Sequence, residues 1–377
     1  MSSNDFIPVN QPILGEKEKE YLIRCIETGW ISSEGPAVRE FEEKLAARVG
    51  RRHGIAVSNG STALDLAVQT LRLPAGSEVL MPSFTIISCA AAIVRAGLKP
   101  VLIDADPVTW NMDIAQLEAR VTPRTRAIMV VHIYGLPTNM DPVLKLAARH
   151  DLRIVEDAAE MHGQTYRGRA CGSFGDVSTF SFYPNKHITT GEGGMILTDD
   201  AELAEACRSL RNLAHSPRRR FVHEELGFNF RLTNLQAALG IAQLERLDES
   251  IAKKREMGRV YNEHFSRMPE LEIPPAKTDY AENIYWVYGM VLADDVPLDA
   301  TQMMDRLSKL KVGTRPFFWG MHEQPVFQRM GWYKGEVYPV TERISRRGFY
   351  VPSGLGITEE QQLRVVQAIK EALAMAS

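Results

Sequence analysis

Between residues 54 and 198 the hydrophobic positions change period repeatedly: short apolar runs rich in β-branched residues alternate with stretches whose apolar side chains recur at helical spacing. This alternation predicts strands at 55–58, 78–81, 100–104, 127–132, 153–156, 177–181 and 194–198. Helices are predicted between them at 61–71, 86–96, 114–119 and 142–150. Strand and helix in turn build a mostly parallel sheet with crossover helices, an α/β fold. Such sheets bind ligands beyond the carboxyl ends of their strands, so the residues just after each apolar run are the first place to look for chemistry.

After residue 198 the pattern changes. One long amphipathic helix is predicted from Thr233 to about Phe265, with Leu235, Leu239, Ala242, Leu244 and Leu247 on one side. Pro274-Pro275 and the polar stretch to Asn283 read as a linker. The remainder alternates strand-like segments at 286–292 and 312–315 with helix-like ones at 301–310 and 359–375. The expected organisation is a large domain over residues 1–250 and a smaller C-terminal α/β domain over 251–377, with the N-terminal segment able to pack on the smaller one.

Composition narrows the function classes. Lys and Arg total 44 against 47 Asp and Glu, so no global basic field exists to hold nucleic acid. The run Arg218-Arg219-Arg220 is the one strong basic cluster, either a solvated loop tip or a contact for a phosphorylated ligand. Cys25, Cys89, Cys171 and Cys207 stand far apart, without metal-site or disulfide spacing, which fits a reducing cytoplasm and no bound metal. The first ten residues lack the basic start and apolar core of an export signal, and the longest apolar run, near 86–94, is half a membrane span. A cytoplasmic protein with no membrane partner is expected.

Three segments carry candidate chemistry, each directly after a predicted strand. Asn59-Gly60-Ser61-Thr62 opens a helix, where backbone N–H groups and the helix dipole favour an anion and a glycine permits close approach; the same residues are also ordinary N-cap grammar. The run Arg153 to Glu160 is an apolar strand ending in acids. A carboxylate there can hold a pyridine nitrogen protonated, cap a helix or pair with an arginine. Strand alternation sets Val155 and Asp157 opposite to Ile154 and Glu156, which makes Asp157 the candidate. Lys186 comes after the next run, with Ser181 before it and Gly191, Gly193 and Gly194 beyond it. Taken alone it is a solvated loop lysine; desolvated, it is a free amine able to meet an aldehyde.

Over nearly its whole length the chain resembles the DegT/DnrJ/EryC1/StrS sugar aminotransferases. The shared markers are Gly29-Trp30-Ile31-Ser32-Ser33, Asn59 to Leu64, Glu156 to Glu160, Phe180 to Lys186, and Gly227-Phe228-Asn229-Phe230-Arg231-Leu232. The resemblance implies the aspartate aminotransferase fold type I and pyridoxal 5'-phosphate as cofactor. It assigns Lys186 as covalent anchor and acid/base, Asp157 to the pyridine nitrogen, and Glu160 to the neighbourhood of the ring hydroxyl. Gly60, Ser61 and Ser181 are assigned to the phosphate, as is Asn229 reaching from the neighbouring subunit of a homodimer. Two positions depart from the pattern: Ile86 stands where many relatives carry the aromatic that stacks on the ring, and Glu160 where Gln or His is common.

Within the group, the chain resembles, over Asn185 to Met195 and Arg315 to His322, the enzymes that aminate carbon 4 of GDP-4-keto-6-deoxymannose, and the resemblance implies L-glutamate as donor. His187, Arg315, Phe317 and Trp319 are the candidate substrate contacts; Arg315 can grip a diphosphate and the aromatics can face sugar or base, or simply pack the smaller domain. UDP-linked 4-keto sugars are the rival substrates. A dehydratase and a non-catalytic cofactor-binding regulator are the rival functions; the lysine at position 186 disfavours the first, and the short segment before Trp30 leaves no room for a DNA-binding module.

Overall fold

A computed structural model describes residues 6–216 and 218–374. Helices α1 (Glu16–Thr28) and α2 (Pro36–Val49) precede the first strand. Each stops at a glycine in the left-handed region, Gly29 and Gly50, where other residues would be strained. Next along the chain are β1 (His53–Val57), α3 (Gly60–Thr70), β2 (Glu78–Pro82), α4 (Ile87–Arg95), β3 (Lys99–Ile103), α5 (Leu117–Arg120), β4 (Thr125–Val131), α6 (Met140–His150) and β5 (Arg153–Asp157). A small hairpin, β6 (Thr165–Tyr166) and β7 (Arg169–Ala170), leads to β8 (Val177–Ser181), β9 (Gly194–Thr198) and α7 (Ala201–Arg211).

Seven of these strands form one sheet in the order β1-β9-β8-β5-β4-β2-β3. The β3, β2, β4, β5 and β8 pairings are parallel, whereas β9 runs antiparallel to both β8 and β1. Its central strands are buried on both faces, which is why they read as continuous apolar runs. Alternate residues feed two cores: Val155 joins the layer of α3 and α4, and Ile154 the layer of α2 and α6.

Two helices replace the single one expected after Thr233: α8 (Asn234–Leu244) and α9 (Leu247–Phe265). The break falls at Glu245 and Arg246, both tied to α1: Glu245 accepts from Lys17 and Tyr21, and Arg246 lies 3.6 Å from Glu18. Helix α9 begins in one core, with Leu247 and Ile251, and ends in another, with Met257, Tyr261 and Phe265. That third core lies against a second sheet, entirely antiparallel, of β10 (Leu271–Glu272), β11 (Tyr288–Leu292), β12 (Arg315–Pro316) and β13 (Gly348–Val351) in the order β10-β11-β13-β12. Helices α10 (Ala300–Lys309), α11 (Pro325–Arg329), α12 (Pro339–Arg347) and α13 (Glu359–Ala374) complete the chain; the expected end of the last at Met375 lies outside the described residues.

The N-terminal segment docks on this second unit. Ile7 donates to Lys311 O at 2.9 Å and accepts from Gly313 N at 2.8 Å, so Val312 pairs with Ile7 rather than opening the strand expected at 312–315. No described helix is long and apolar enough to cross a membrane.

Candidate active site at the strand ends of the large sheet

A cavity of about 560 Å³ opens where β4, β5 and β8 end. Its walls come from the start of α3, the 85–88 segment, Asp157 and Glu160, the loop that carries Lys186, and, from the second unit, Trp286, Phe318 and Tyr350.

Local rules fix the lysine loop. After β8, Phe182 donates its N–H to Gly193 O at 2.8 Å and its carbonyl accepts from Thr190 N at 3.0 Å, closing the excursion into a tight lobe. Gly191, with φ 77°, makes the turn, and a Cβ at Gly194 would sit 2.5 Å from Asn59 O, so the β9 backbone can approach α3 only as glycine. Lys186 projects into the cavity with 9% of its side chain exposed. Its Nζ lies 3.8 Å from Glu160 Oε1, too far for a hydrogen bond, and 3.7 Å from the centre of the Trp286 ring. Burial lowers its pKa from the ordinary lysine range, against the raising influence of Glu160 and Asp157.

Two adjacent acids on β5 have opposite fates. Glu156 turns to the far face, where His132 and the N–H groups of Gly172, Phe174 and Gly175 saturate it. Asp157 faces the cavity and accepts from Cys89 Sγ at 3.2 Å, Thr179 Oγ1 at 3.3 Å and Ala159 N at 3.0 Å. Glu160 accepts from Tyr134 N at 2.7 Å, and burial pushes its pKa up to about 8, partly offset by Lys186. For the Glu160–Lys186 pair, burial favours the uncharged form of both partners, while each partner's charge favours the charged form of the other.

The start of α3 forms a cradle. Asn59 caps the helix by accepting from Thr62 N at 2.9 Å, which leaves the preceding N–H groups of the first turn facing the cavity. Ser61 and Ser88 hydroxyls meet at 2.7 Å, and Ser181 closes the other side. A Cβ on Gly60 would fall 2.8 Å from Ser181 Cβ and fill the space. An anion-sized recess at a helix N-terminus, a buried amine and a buried carboxylate are the donor set that pyridoxal phosphate requires, and the residues fit it.

The structure brings some of the expected residues together and places others outside the cavity. His187 is 1% exposed, does not line the cavity, and neither ring nitrogen has a hydrogen-bond partner among the described residues; burial and the nearby Lys254 hold its pKa well below the usual range. Phe317 is buried among Phe84, Trp110 and Tyr134, and its neighbour Phe318 takes the cavity wall instead. Trp319 is half exposed beneath the Arg346 guanidinium, 5.1 Å away, and stands outside the cavity. Arg315 is exposed on β12, directly opposite the cavity-lining Tyr350. Asn229 is exposed, bridges to Asn212 and is absent from this chain's own cavity. Gly60, Ser61, Asp157, Glu160, Ser181 and Lys186 converge, and Ile86 lines the cavity beside them. Sequence reasoning missed Ser88, Trp286 and Tyr350; only Ser88, at the start of a predicted helix beside Ile86, offered a signal.

Known proteins resemble this chain along nearly its whole length. A GDP-perosamine synthase of Caulobacter vibrioides is 41% identical over 99% of this chain and 100% of the relative. Another, from Escherichia coli O157:H7, is 36% identical over 97% of this chain and 98% of its own length. Among solved structures, DesI in the presence of its TDP-sugar product superposes with a TM-score of 0.88 at 32% identity, covering 98% of this chain and 93% of that one. Residues 12–370 match the DegT/DnrJ/EryC1/StrS aminotransferase family. The chain belongs to that family, as a pyridoxal-phosphate-dependent sugar aminotransferase of fold type I.

Proposed function

We propose that this enzyme moves the amino group of L-glutamate to carbon 4 of GDP-4-keto-6-deoxy-D-mannose. The observation that carries the reading is Lys186: a buried amine facing two carboxyl groups, held by no hydrogen bond among the described residues, in a cavity that ends on the cradle of α3. Bound pyridoxal phosphate supplies an aldehyde to capture amines and a ring that accepts the electrons left when a carbon beside nitrogen loses its proton.

The chain's own residues supply the rest. Lys186 anchors the cofactor at rest; once freed, its Nζ takes the α-proton of glutamate in the first half-reaction and delivers a proton to sugar carbon 4 in the second. Asp157, anchored by a thiol, a hydroxyl and an amide, would present its carboxylate to the pyridine nitrogen. Glu160 would lie near the ring hydroxyl, and its carboxyl group, 3.8 Å from the Lys186 Nζ, favours the charged form of that amine. Gly60, Ser61 and Ser181, joined by Ser88, hold the phosphate.

Asn229 completes that cradle from a second copy of this chain, making a homodimer the working unit. Supporting this, the segment that leads to Asn229 carries Phe221 at 74% and Leu226 at 93% exposure, apolar surface that a partner would cover. Arg315 and Trp319 then sit at the rim, where a nucleotide diphosphate would lie. Kinship with GDP-perosamine synthases favours guanosine over uridine.

Incubation with glutamate and a panel of GDP- and UDP-linked 4-keto sugars, with products weighed by mass spectrometry, tests the assignment. Aminated product from the GDP-linked mannose derivative is expected. Product from UDP-linked sugars alone would overturn it.

A further inference from the structure

Several cavity-lining side chains have no part in the proposed transamination so far, and one of them, Trp286, lies against the lysine amine. Trp286 is 5% exposed and held at three points. Its indole Nε1–H donates to Asn185 O at 2.9 Å, on the residue just before the lysine. Its carbonyl accepts from Lys254 Nζ at 2.8 Å, and its ring packs against Tyr134 with centres 5.8 Å apart. The residue before it, Tyr285, has φ 48°, a conformation that a bulky residue keeps only when its surroundings enforce it. Backbone strain and three tethers therefore converge on one orientation of the indole, and that orientation sets its face 3.7 Å from Lys186 Nζ.

We propose that Trp286 is the positioning residue for Lys186: its N–H pins the loop that carries the lysine, and its π face stabilises the freed amine in its protonated form. The inference rests on the reading of Lys186 as the cofactor-bearing amine. A tryptophan face is the strongest aromatic partner for a cation, and the attraction grows where water is excluded. It thus opposes the burial that would otherwise leave the amine too weak a base to accept a proton from carbon.

Other groups act on the same amine. Glu160 and Asp157, from the end of β5, favour its charge. His162 and His187 are kept neutral by burial and add no positive field. Tyr134 and Tyr350 are kept protonated by burial, so they add no negative one. Glu192 and Tyr183 are exposed residues of the cavity wall. Trp286 is the contact among these whose removal leaves every titratable group in place.

The test is acylation of the full-length, cofactor-free protein by acetic anhydride across pH, with modification at Lys186 quantified by peptide mass. The midpoint of that profile reports the pKa of the amine, whereas simple access changes only its plateau. Trp286→Leu is expected to lower the midpoint by roughly 0.5 to 1.5 pH units, and Trp286→Phe, which keeps a ring face, by less. A Leu midpoint equal to that of the unaltered protein, or a Phe shift as large as the Leu shift, overturns the proposal. Should Trp286→Leu not fold, Trp286→Phe decides alone: a lowered midpoint supports the role and an unchanged one removes it. Failure of the underlying reading shows separately, as absence of borohydride-fixed cofactor on Lys186 of the unaltered enzyme.

Discussion

Lys186 and Lys254 are both buried, and they differ in what surrounds the amine. Lys254, on α9, donates to the carbonyls of Trp286 and Ser353, with no acid beside it among the described residues. The Lys186 amine touches no carbonyl among the described residues; it faces the Glu160 carboxyl group beyond hydrogen-bond reach, an aromatic ring and an open cavity. Burial lowers the proton affinity of both, to about 7 for Lys254. Desolvation alone therefore does not make a reactive lysine. Saturated by fixed acceptors, the amine becomes a structural clamp; left with a free direction of approach, it becomes a nucleophile and base.

The contrast breaks if the two residues respond alike to substitution. Lys186→Ala removes both anchor and acid/base and is expected to cost more than the ~10² to 10⁴ typical of a single proton-transfer group, with the melting temperature little changed. Lys254→Met should act chiefly on stability, costing turnover far less than Lys186→Ala even though it removes one tether of Trp286, and the size of its stability effect depends on pH. The folded-state pKa lies below the unfolded value, so the unfolded chain binds more protons between about pH 7 and 10.5, and stability conferred by Lys254 rises across that window. Melting of the parent relative to Lys254→Met should accordingly improve from pH 7 to pH 10, by up to about 4 kcal/mol.

The two acids at the end of β5 sharpen the comparison. Asp157→Ala is expected to slow turnover by about 10²- to 10³-fold, the loss typical of one missing electrostatic stabiliser, without unfolding the chain. Glu156→Gln, one position away, should instead destabilise, by about 1 to 3 kcal/mol in denaturant titration, because three backbone donors and His132 converge on it. The mildest change is Glu160→Gln. It keeps an acceptor for Tyr134 N but deletes a titration near pH 8, so the pH profile of kcat should flatten there while the maximum falls by no more than roughly tenfold.

Position in the fold decided which residues were legible in the sequence. Lys186, Asp157 and Gly60-Ser61 each stand at or just after the end of a strand whose apolar run is unmistakable, and parallel strands bring their carboxyl ends to one edge of the sheet. The reversed direction of β9 left no trace, because a buried strand has the same apolar pattern either way. The second unit hid its contribution. Strand β12 is two residues long, too short for alternation to tell Phe317 from Phe318. Trp286 and Tyr350 reach the cavity through tertiary packing alone, from positions about 100 or more residues beyond Lys186. The break between α8 and α9 was invisible for a related reason: it is enforced by α1, more than 200 residues earlier, not by a local glycine or proline.

The most direct test of Lys186 as the cofactor's anchor is borohydride reduction of the cofactor-loaded enzyme, with peptide mass mapping of the product. The pyridoxyl group is expected on the peptide containing Lys186 and nowhere else, and is lost in Lys186→Ala. Attachment to Lys254 or any other lysine, or none at all, would contradict that role.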